Sequence, residues 1–400
     1  ACRTANERRM TILAQILVGV SLGLVVLVFV VYPLLLVLVA VLTPRAPPRA
    51  SEDPPSISMI VAFRGGGGLI QRKIENFLDL DYPCERLELV LVADGPAPDL
   101  EAVAAEYADP RIQAVEMPEG RGKALALNHA MQIAHGDVLL FSDLDARLAT
   151  DCVQLLAHWF TDPDVGGVCG RRVLDRDAGT ARAGQSGYIE VDSLIKQGEN
   201  RLGAITSSDG KCYAVRRELA GPIDASATDD LYNALTVILA GKRYLFESQA
   251  QAHIRTPSRS SKHEVERRRR VVVRSLSGMF ARPRVFGLLR FGLFGPRLVV
   301  NKVCRRLLPL ALVGLLIGTA MLASTASWAG WATTMQVLFY AASGLYGPVE
   351  SAGWLPWLPR SLRRLWQLAF YFCVGMWGML LGIVEFARGK RIARWEPRKA

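Results

Sequence analysis

The sequence predicts an α/β domain with a mainly parallel sheet, flanked by transmembrane helices. Three observations carry that expectation. Short apolar runs alternate with helix-periodic stretches between about residues 56 and 142, the pattern of βαβ units. Long uncharged apolar segments stand on either side of this region. Acidic residues recur where the apolar runs end, which is where open α/β sheets bind ligands.

The flanks come first. Half of the 400 residues are hydrophobic and the net charge is +11, values that suit a membrane protein carrying a water-soluble domain. Ile12 to Thr43 is uncharged and apolar, ample for one bilayer pass of about 20 residues and too long for a signal-peptide core. Leu307–Ala326 and Leu365–Ala387 are two further spans. Trp331–Tyr346, with Thr333, Thr334 and Gln336, either spans, lies in the interface or re-enters. The chain therefore divides into an N-terminal helix and linker (1–49), a cytoplasmic domain (50–277), an interfacial amphipathic segment (278–306), and C-terminal helices with a basic tail (307–400). Residues 282–297, which mix bulky apolar residues with arginines, read as one helix lying in the interface. Basic clusters such as 262–274 flank the spans, so their partner is an anionic lipid bilayer and no nucleic acid is needed. Seven cysteines and five histidines show neither a disulfide framework nor zinc-ligand spacing, which fits a reducing cytoplasm. The spans, with a cytoplasmic domain between them, predict a multi-pass protein of the inner (plasma) membrane. Arg3, Arg8 and Arg9 favour a cytoplasmic start, whereas a single pass before the domain puts the first residues outside.

Within the domain, "SISMIVAF" (56–63) is a β-branched apolar run that breaks into Arg64 and Gly65–Gly68. The glycines form no phosphate loop, because no Gly-Lys-Ser/Thr follows. Ile70, Ile74, Phe77 and Leu78 then recur at helical spacing up to Pro83. A second strand, 87–95, ends in Asp94-Gly95. A helix from 100 and a short strand, "IQAVEM", lead to "GKALALNHAMQIAH" (122–135), which reads as a helix, and to the strand "DVLLFSD".

That last strand closes on Asp143-Leu144-Asp145. A solvated strand end is one explanation. The other is a divalent cation: on a continuing strand both carboxylates face one side, and oxygen ligands suit Mg²⁺ or Mn²⁺. Asp229-Asp230 precede "LYNALTVILAG", a predicted helix, where acids serve as N-caps or as a carboxylate base.

These stretches, in this order, resemble the membrane-bound family 2 type inverting glycosyltransferases of the cellulose, chitin and hyaluronan synthase superfamily. "RKIENFLDLDYPCERLELVLVADG", "GRGKALALNHAM", "FSDLDA", "SSDGKCYAVRREL" and "ATDDLYNALTVILAGKRYLFE" carry the resemblance, as does the tail "RWEPRK". It implies a GT-A-like nucleotide-diphosphosugar transferase domain. It further implies nucleotide contacts from Arg64, Asp94, Lys123 and Asp143, and a metal at Asp145 and Asp143. Asp230 becomes the catalytic base, with Asp229, Asp209 and Gly210 on the acceptor and diphosphate side. Apart from the resemblance, Arg267–Arg270 either form a solvated or lipid-facing helix face or send one arginine, Arg270, to the diphosphate or an anionic acceptor. The donor is then a nucleotide diphosphosugar, a UDP-sugar, and the acceptor a saccharide or lipid-linked saccharide; direct attack with one base inverts the anomeric carbon. Transfer to a polyprenyl phosphate and a non-catalytic export scaffold are the alternatives.

Three departures qualify the resemblance. Gly65–Gly68 replace the usual Asn-Glu-Glu after Arg64, and "PAP" follows Asp94-Gly95 in place of Ser-Thr-Asp. No Gln-x-x-Arg-Trp stands near residue 270, where "RRRRVVVRSLSG" is found instead. A tryptophan face that stacks on the nascent chain is thereby missing, which predicts addition of one or a few sugars rather than processive synthesis.

Overall fold

The computed structural model of the chain describes residues 2–44, 53–118, 120–175, 182–254 and 261–392. The end of the N-terminal linker (45–49) and the "RWEPRK" tail lie outside them. Two compact units emerge: an α/β unit (Leu35–Pro257 with Arg274–Val299 and Arg391–Ala400) and a helical unit (Ala1–Leu34, Ser258–Val273 and Val300–Lys390).

The α/β unit is built on eight strands: β1 (Ile57–Phe63), β2 (Leu87–Asp94), β3 (Ile112–Met117), β4 (Val138–Ser142), β5 (Ala146–Leu148), β6 (Val165–Leu174), β7 (Cys212–Arg216) and β8 (Arg243–Ile254). They form one sheet in the order β3-β2-β1-β4-β7-β6-β8-β5. The β3-β2-β1-β4 half is parallel throughout, and β6 with β8 is parallel as well. β7 runs antiparallel between β4 and β6, and β5 antiparallel to β8. All seven residues of β1 are buried, which is why the strand reads as an unbroken apolar run: helices cover a parallel sheet on both faces.

The helix Gly68–Leu78 buries Ile70, Ile74 and Phe77 against this sheet, but Leu78 faces outward at 39 % exposure. Lys73 and Asn76 take the remaining inward positions. The glycine run before it has a conformational reason. Gly65, Gly66 and Gly67 all adopt positive φ (69°, 150° and 48°), which any L side chain would strain. Residues 282–297 do not make one helix. They fold as three short ones, Pro283–Phe286, Leu288–Phe291 and Phe294–Leu298, broken at Gly287 and at Gly292, whose φ is +53°.

Among the described residues, three helices are long and apolar enough to cross a membrane: Asn6–Leu42, Phe294–Leu322 and Arg360–Ala387. The uncertain middle segment lies within one continuous helix, Ser327–Ser351, which is not among them. Its polar side chains bond inward within the helical unit: Thr333 Oγ1 donates to Thr319 Oγ1 at 2.9 Å and Gln336 Nε2 to the Leu312 carbonyl at 2.8 Å. Gly314 and Gly318 let the helix Arg305–Leu322 lie close against Ala14, Leu17, Val18 and Ser21 of the first helix, the small-residue contact usual between membrane helices. The long helix Ser261–Phe280 begins in this unit, where Glu264 pairs with Arg267 and Arg268 at 2.7 Å each and Arg269 with Glu385 at 3.5 Å. Those arginines therefore serve the packing of the helical unit.

Candidate active site

The site grows from the end of β4. The strand does not continue through the acid pair: it stops at Ser142, and Asp143-Leu144-Asp145 form a turn closed by Ala146 N donating to the Asp143 carbonyl (3.1 Å). Leu144 is buried in the core and pins the turn. The expected same-side geometry of a strand is thus replaced by a turn that aims both carboxylates at a shared point. That point holds the Lys211 ammonium, 2.9 Å from Asp143 Oδ2 and 2.8 Å from Asp145 Oδ1.

Register explains why Lys211 is there. β7 pairs antiparallel with β4, Cys212 opposite Ser142, so Lys211 falls beside Asp143 one step beyond the last pair. Ser142 Oγ fixes the step by donating to the Lys211 carbonyl (3.0 Å), and Lys211 N donates to Asp209 Oδ1 (3.2 Å). Beneath the turn, the buried Lys73 donates to Ser142 Oγ (2.8 Å) and the Ala146 carbonyl (2.6 Å), while Asn76 exchanges two 2.8 Å bonds with Leu148. One helix face thereby clamps both ends of the acidic turn. Burial pushes the Lys73 ammonium down to about 8, against the opposing pull of Cys212, Asp143, Asp145 and Cys152.

Lys123, the first residue of the helix Lys123–Ile133, joins the turn to a third acid. Its Nζ lies 2.8 Å from Asp143 Oδ1 and 3.1 Å from Asp229 Oδ2. Burial alone would lower Lys123, but Asp143 and Asp229 outweigh it and hold the ammonium above its ordinary value. The same balance runs the other way at Asp143, where burial opposes and Lys123 and Lys211 hold the carboxyl well below the usual range. Lys211 is likewise held up by Asp143 and Asp145 in spite of its burial.

Asp229 and Asp230 are the first two residues of the helix Asp229–Leu239; the N-cap position belongs to Thr228, whose side chain makes no capping bond. Asp229 is buried, accepting from Lys123 and from Tyr213 Oη (3.3 Å). Asp230 is half-buried and lies beside Gly210, where a Cβ would come within 3.9 Å of its own. Burial first, then Asp229 and Asp230, push the Tyr213 phenol up; burial, then Cys169 and Asp230, do the same at Tyr244. Asp209 pairs with Arg172 at 3.5 Å.

At the other end, Asp94 is fully buried at the tip of β2. Its carboxylate accepts from the backbone N–H of Arg121 (2.7 Å) and Gly122 (2.9 Å), so it fastens the loop that delivers Lys123. Gly122 makes the loop possible with φ +109°. The exposed Arg64 lays its guanidinium against Gly120 of the same loop: a Cβ there would sit 3.1 Å from Cζ. Arg270 belongs to the helical unit; the arginine of that helix within the α/β unit is Arg274, which donates to the Ala227 carbonyl and lies in the field of Asp229 and Asp230. The sequence pattern missed Lys211, Lys73 and Arg274. Lys73 left one signal, a lysine on the apolar stripe between Ile70 and Ile74.

Residues 58–221 match the model of a family described as glycosyl transferase family 2. An N-acetylglucosaminyltransferase of Bradyrhizobium elkanii is 33% identical over 123 residues, 30% of this chain and 67% of that protein. The chain belongs to glycosyl transferase family 2. An N-acetylglucosaminyltransferase of Rhizobium meliloti (strain 1021) is 30% identical over 191 residues, 46% of this chain and 44% of that protein. A beta-monoglucosyldiacylglycerol synthase of Synechocystis sp. is 25% identical over 201 residues, 47% of this chain and 42% of the relative. The chain thus spans a little under half the length of these last two relatives. Among solved structures, a mannosyltransferase from Pyrobaculum calidifontis in complex with GDP-Man and Mn²⁺ superposes with a TM-score of 0.68 at 21% identity, covering 94% of this chain and all of that one. That likeness establishes the GT-A fold for this family 2 member.

The carboxylates also fit a divalent ion. Two hard oxygen ligands converge on one cation-sized point, as the Lys211 contacts demonstrate. Among the described residues no third His, Cys, Asp or Glu joins them in a ligand cluster. Two carboxylates plus substrate phosphates are what a nucleotide-site Mg²⁺ ordinarily uses.

Proposed function

We propose that this protein transfers a sugar, with inversion, from a nucleotide diphosphosugar, a UDP-sugar, to a hydroxyl of a saccharide or lipid-linked acceptor at the inner membrane. The observation that carries the reading is the ionic chain Lys211–Asp143–Lys123–Asp229, which ties the acidic turn after β4 to the helix start bearing Asp230. The residues read as donor-side and acceptor-side are thereby linked by ion pairs, which supports the reading. The names of the relatives support a glucosyl or N-acetylglucosaminyl unit and a saccharide or glycerolipid acceptor.

In this reading Arg64 and Asp94 form the nucleotide end, Asp94 chiefly by organising the 120–122 loop. Asp145 and Asp143 hold Mg²⁺ or Mn²⁺, which when bound stabilises charge on the diphosphate. Lys123 supplies fixed positive potential where the leaving oxygen gathers charge. Asp230, more accessible than the engaged Asp229, takes the proton from the acceptor hydroxyl as its oxygen attacks the anomeric carbon from the face opposite the diphosphate. The carbon–oxygen bond to the diphosphate breaks in the same displacement, so configuration inverts. Asp209 and Gly210 are assigned, with Asp229, to the acceptor and diphosphate side. With no tryptophan between 262 and 280, the product is released after one or a few additions.

The test is transfer or hydrolysis of UDP-glucose and UDP-N-acetylglucosamine by the purified protein with Mn²⁺, beside Asp145→Asn. Turnover in the parent, and its loss in a variant that melts at the same temperature, is expected. Equal turnover in the two would end the reading.

A further inference from the structure

Lys211 stands out because it lies where a divalent ion is expected. Its ammonium touches one oxygen of each acid in the pair, at 2.9 and 2.8 Å, and its backbone is fixed on both sides, by Ser142 Oγ at the carbonyl and by Asp209 at the N–H. The side chain is about one-fifth exposed, so the pairing is shielded from bulk water. The charge balance has a consequence. Asp143, Asp145, Asp229 and Asp230 are opposed by Lys73, Lys123, Lys211 and Arg274, each lying within the field of at least one of these acids. Among these eight side chains the four carboxylates are matched by four cations. A divalent ion entering alone would leave two uncompensated positive charges in a half-buried seat, which is strongly disfavoured. A nucleoside diphosphosugar carries one negative charge on each phosphate, so the ion and the donor together restore neutrality.

We propose that Lys211 is a tethered placeholder for the divalent cation: its ammonium holds the Asp143–Asp145 seat in the donor-free protein, and the ion enters together with the diphosphate, toward which Lys211 then turns. The proposal rests on the reading of Asp143 and Asp145 as a metal seat. It adds an order of binding and a residue that sets it. Lys211 becomes a positioning residue whose side chain exchanges one pair of anions, the carboxylates, for another, the phosphates. Such coupling is reciprocal, so Mn²⁺ must tighten nucleotide binding by the same factor by which nucleotide tightens Mn²⁺.

The experiment is Mn²⁺ titration of the full chain in detergent or nanodiscs, read by electron paramagnetic resonance of the free ion, with and without UDP and corrected for the Mn²⁺–UDP complex in solution. Without UDP, Lys211→Met should bind Mn²⁺ roughly tenfold or more tighter than the parent, while Lys211→Arg stays like the parent. With saturating UDP the parent and Lys211→Met should converge. Equal donor-free affinities in the parent and Lys211→Met overturn the placeholder and leave the metal seat standing. Failure of both proteins to bind Mn²⁺ under either condition overturns the metal seat as well. Should Lys211→Met not fold, the parent alone decides: UDP must tighten Mn²⁺ roughly tenfold, and a change below about twofold refutes the proposal.

Discussion

Replacing Lys73 by methionine separates what the buried lysine does for the acidic turn from what it costs the fold. Its ammonium gives two charge-assisted hydrogen bonds, to Ser142 Oγ and to the Ala146 carbonyl. Methionine keeps the length and removes both, leaving the Ala146 carbonyl without that donor at a cost of about 1–3 kcal/mol. Against this stands the burial of a charge. Burial pushes the Lys73 ammonium down from its ordinary 10.5 to about 8, equivalent to about 3 kcal/mol of destabilisation while the lysine is charged. The two effects nearly cancel at pH 7, so Lys73→Met should melt within a few degrees of the parent. The pH dependence separates them. Below pH 8 both states of the parent are protonated and the full penalty applies; between 8 and 10.5 the unfolded chain holds the proton and the folded one does not, so folding is favoured as pH rises. The stability of the parent relative to Lys73→Met should therefore climb by up to about 3 kcal/mol across that window. Denaturant unfolding of both proteins at half-unit pH steps reads this directly. Glycosyl transfer at pH 7 should fall in the variant through looser holding of Asp143 and Asp145. A difference curve that is flat from pH 8 to 10.5, with activity unchanged, refutes the clamp.

Other outcomes are equally specific. Asp230→Asn should leave UDP affinity within a few-fold and lower transfer by about 10²-fold or more; a variant that only melts earlier would assign Asp230 to the helix start instead. Products made from labelled UDP-sugar should be short, with acceptor consumed evenly; early high-molecular-weight polymer beside unextended acceptor would contradict release after one or a few additions. In the helical unit, burial works against the charged Glu264, yet Arg267 and Arg268 hold its carboxyl at about 2, below its ordinary 4.5. Its ion pairs should therefore stabilise fully above pH 4.5 and fade as pH falls toward 2. Glu264→Gln should lower the melting temperature at pH 7 and match the parent near pH 2.

The parallel half of the sheet was legible because burial on both faces writes strands as apolar runs, as in Ile57–Phe63 and Val138–Ser142. The acids at the ends of β2 and β4 were legible for the same reason: a carboxylate closing such a run needs a purpose. β6, β7 and β8 were not read as strands. Their places in the sheet depend on pairings far apart in sequence, such as Val165–Leu174 with Arg243–Ile254, which no local period records. Leu78 was misjudged because an eleven-residue amphipathic helix leaves its last turn free to face outward. The segment 282–297 looked like one helix because its apolar residues recur at roughly helical spacing, while Gly287 and Gly292 break it. Lys211 was present in a quoted stretch but silent, since its meaning comes from the β4–β7 register alone.

That register makes loop length a chemical variable. Side chains on a strand alternate between faces, so a single inserted or deleted residue between Ser208 and Cys212 shifts what stands beside Asp143 without altering any residue type. Composition can drift in such a loop while its count cannot. The segment works as a ruler, fixed at one end by the Ser208–Tyr244 hydroxyl pair and at the other by the first rung of β7, and what it measures off is the position of one positive charge.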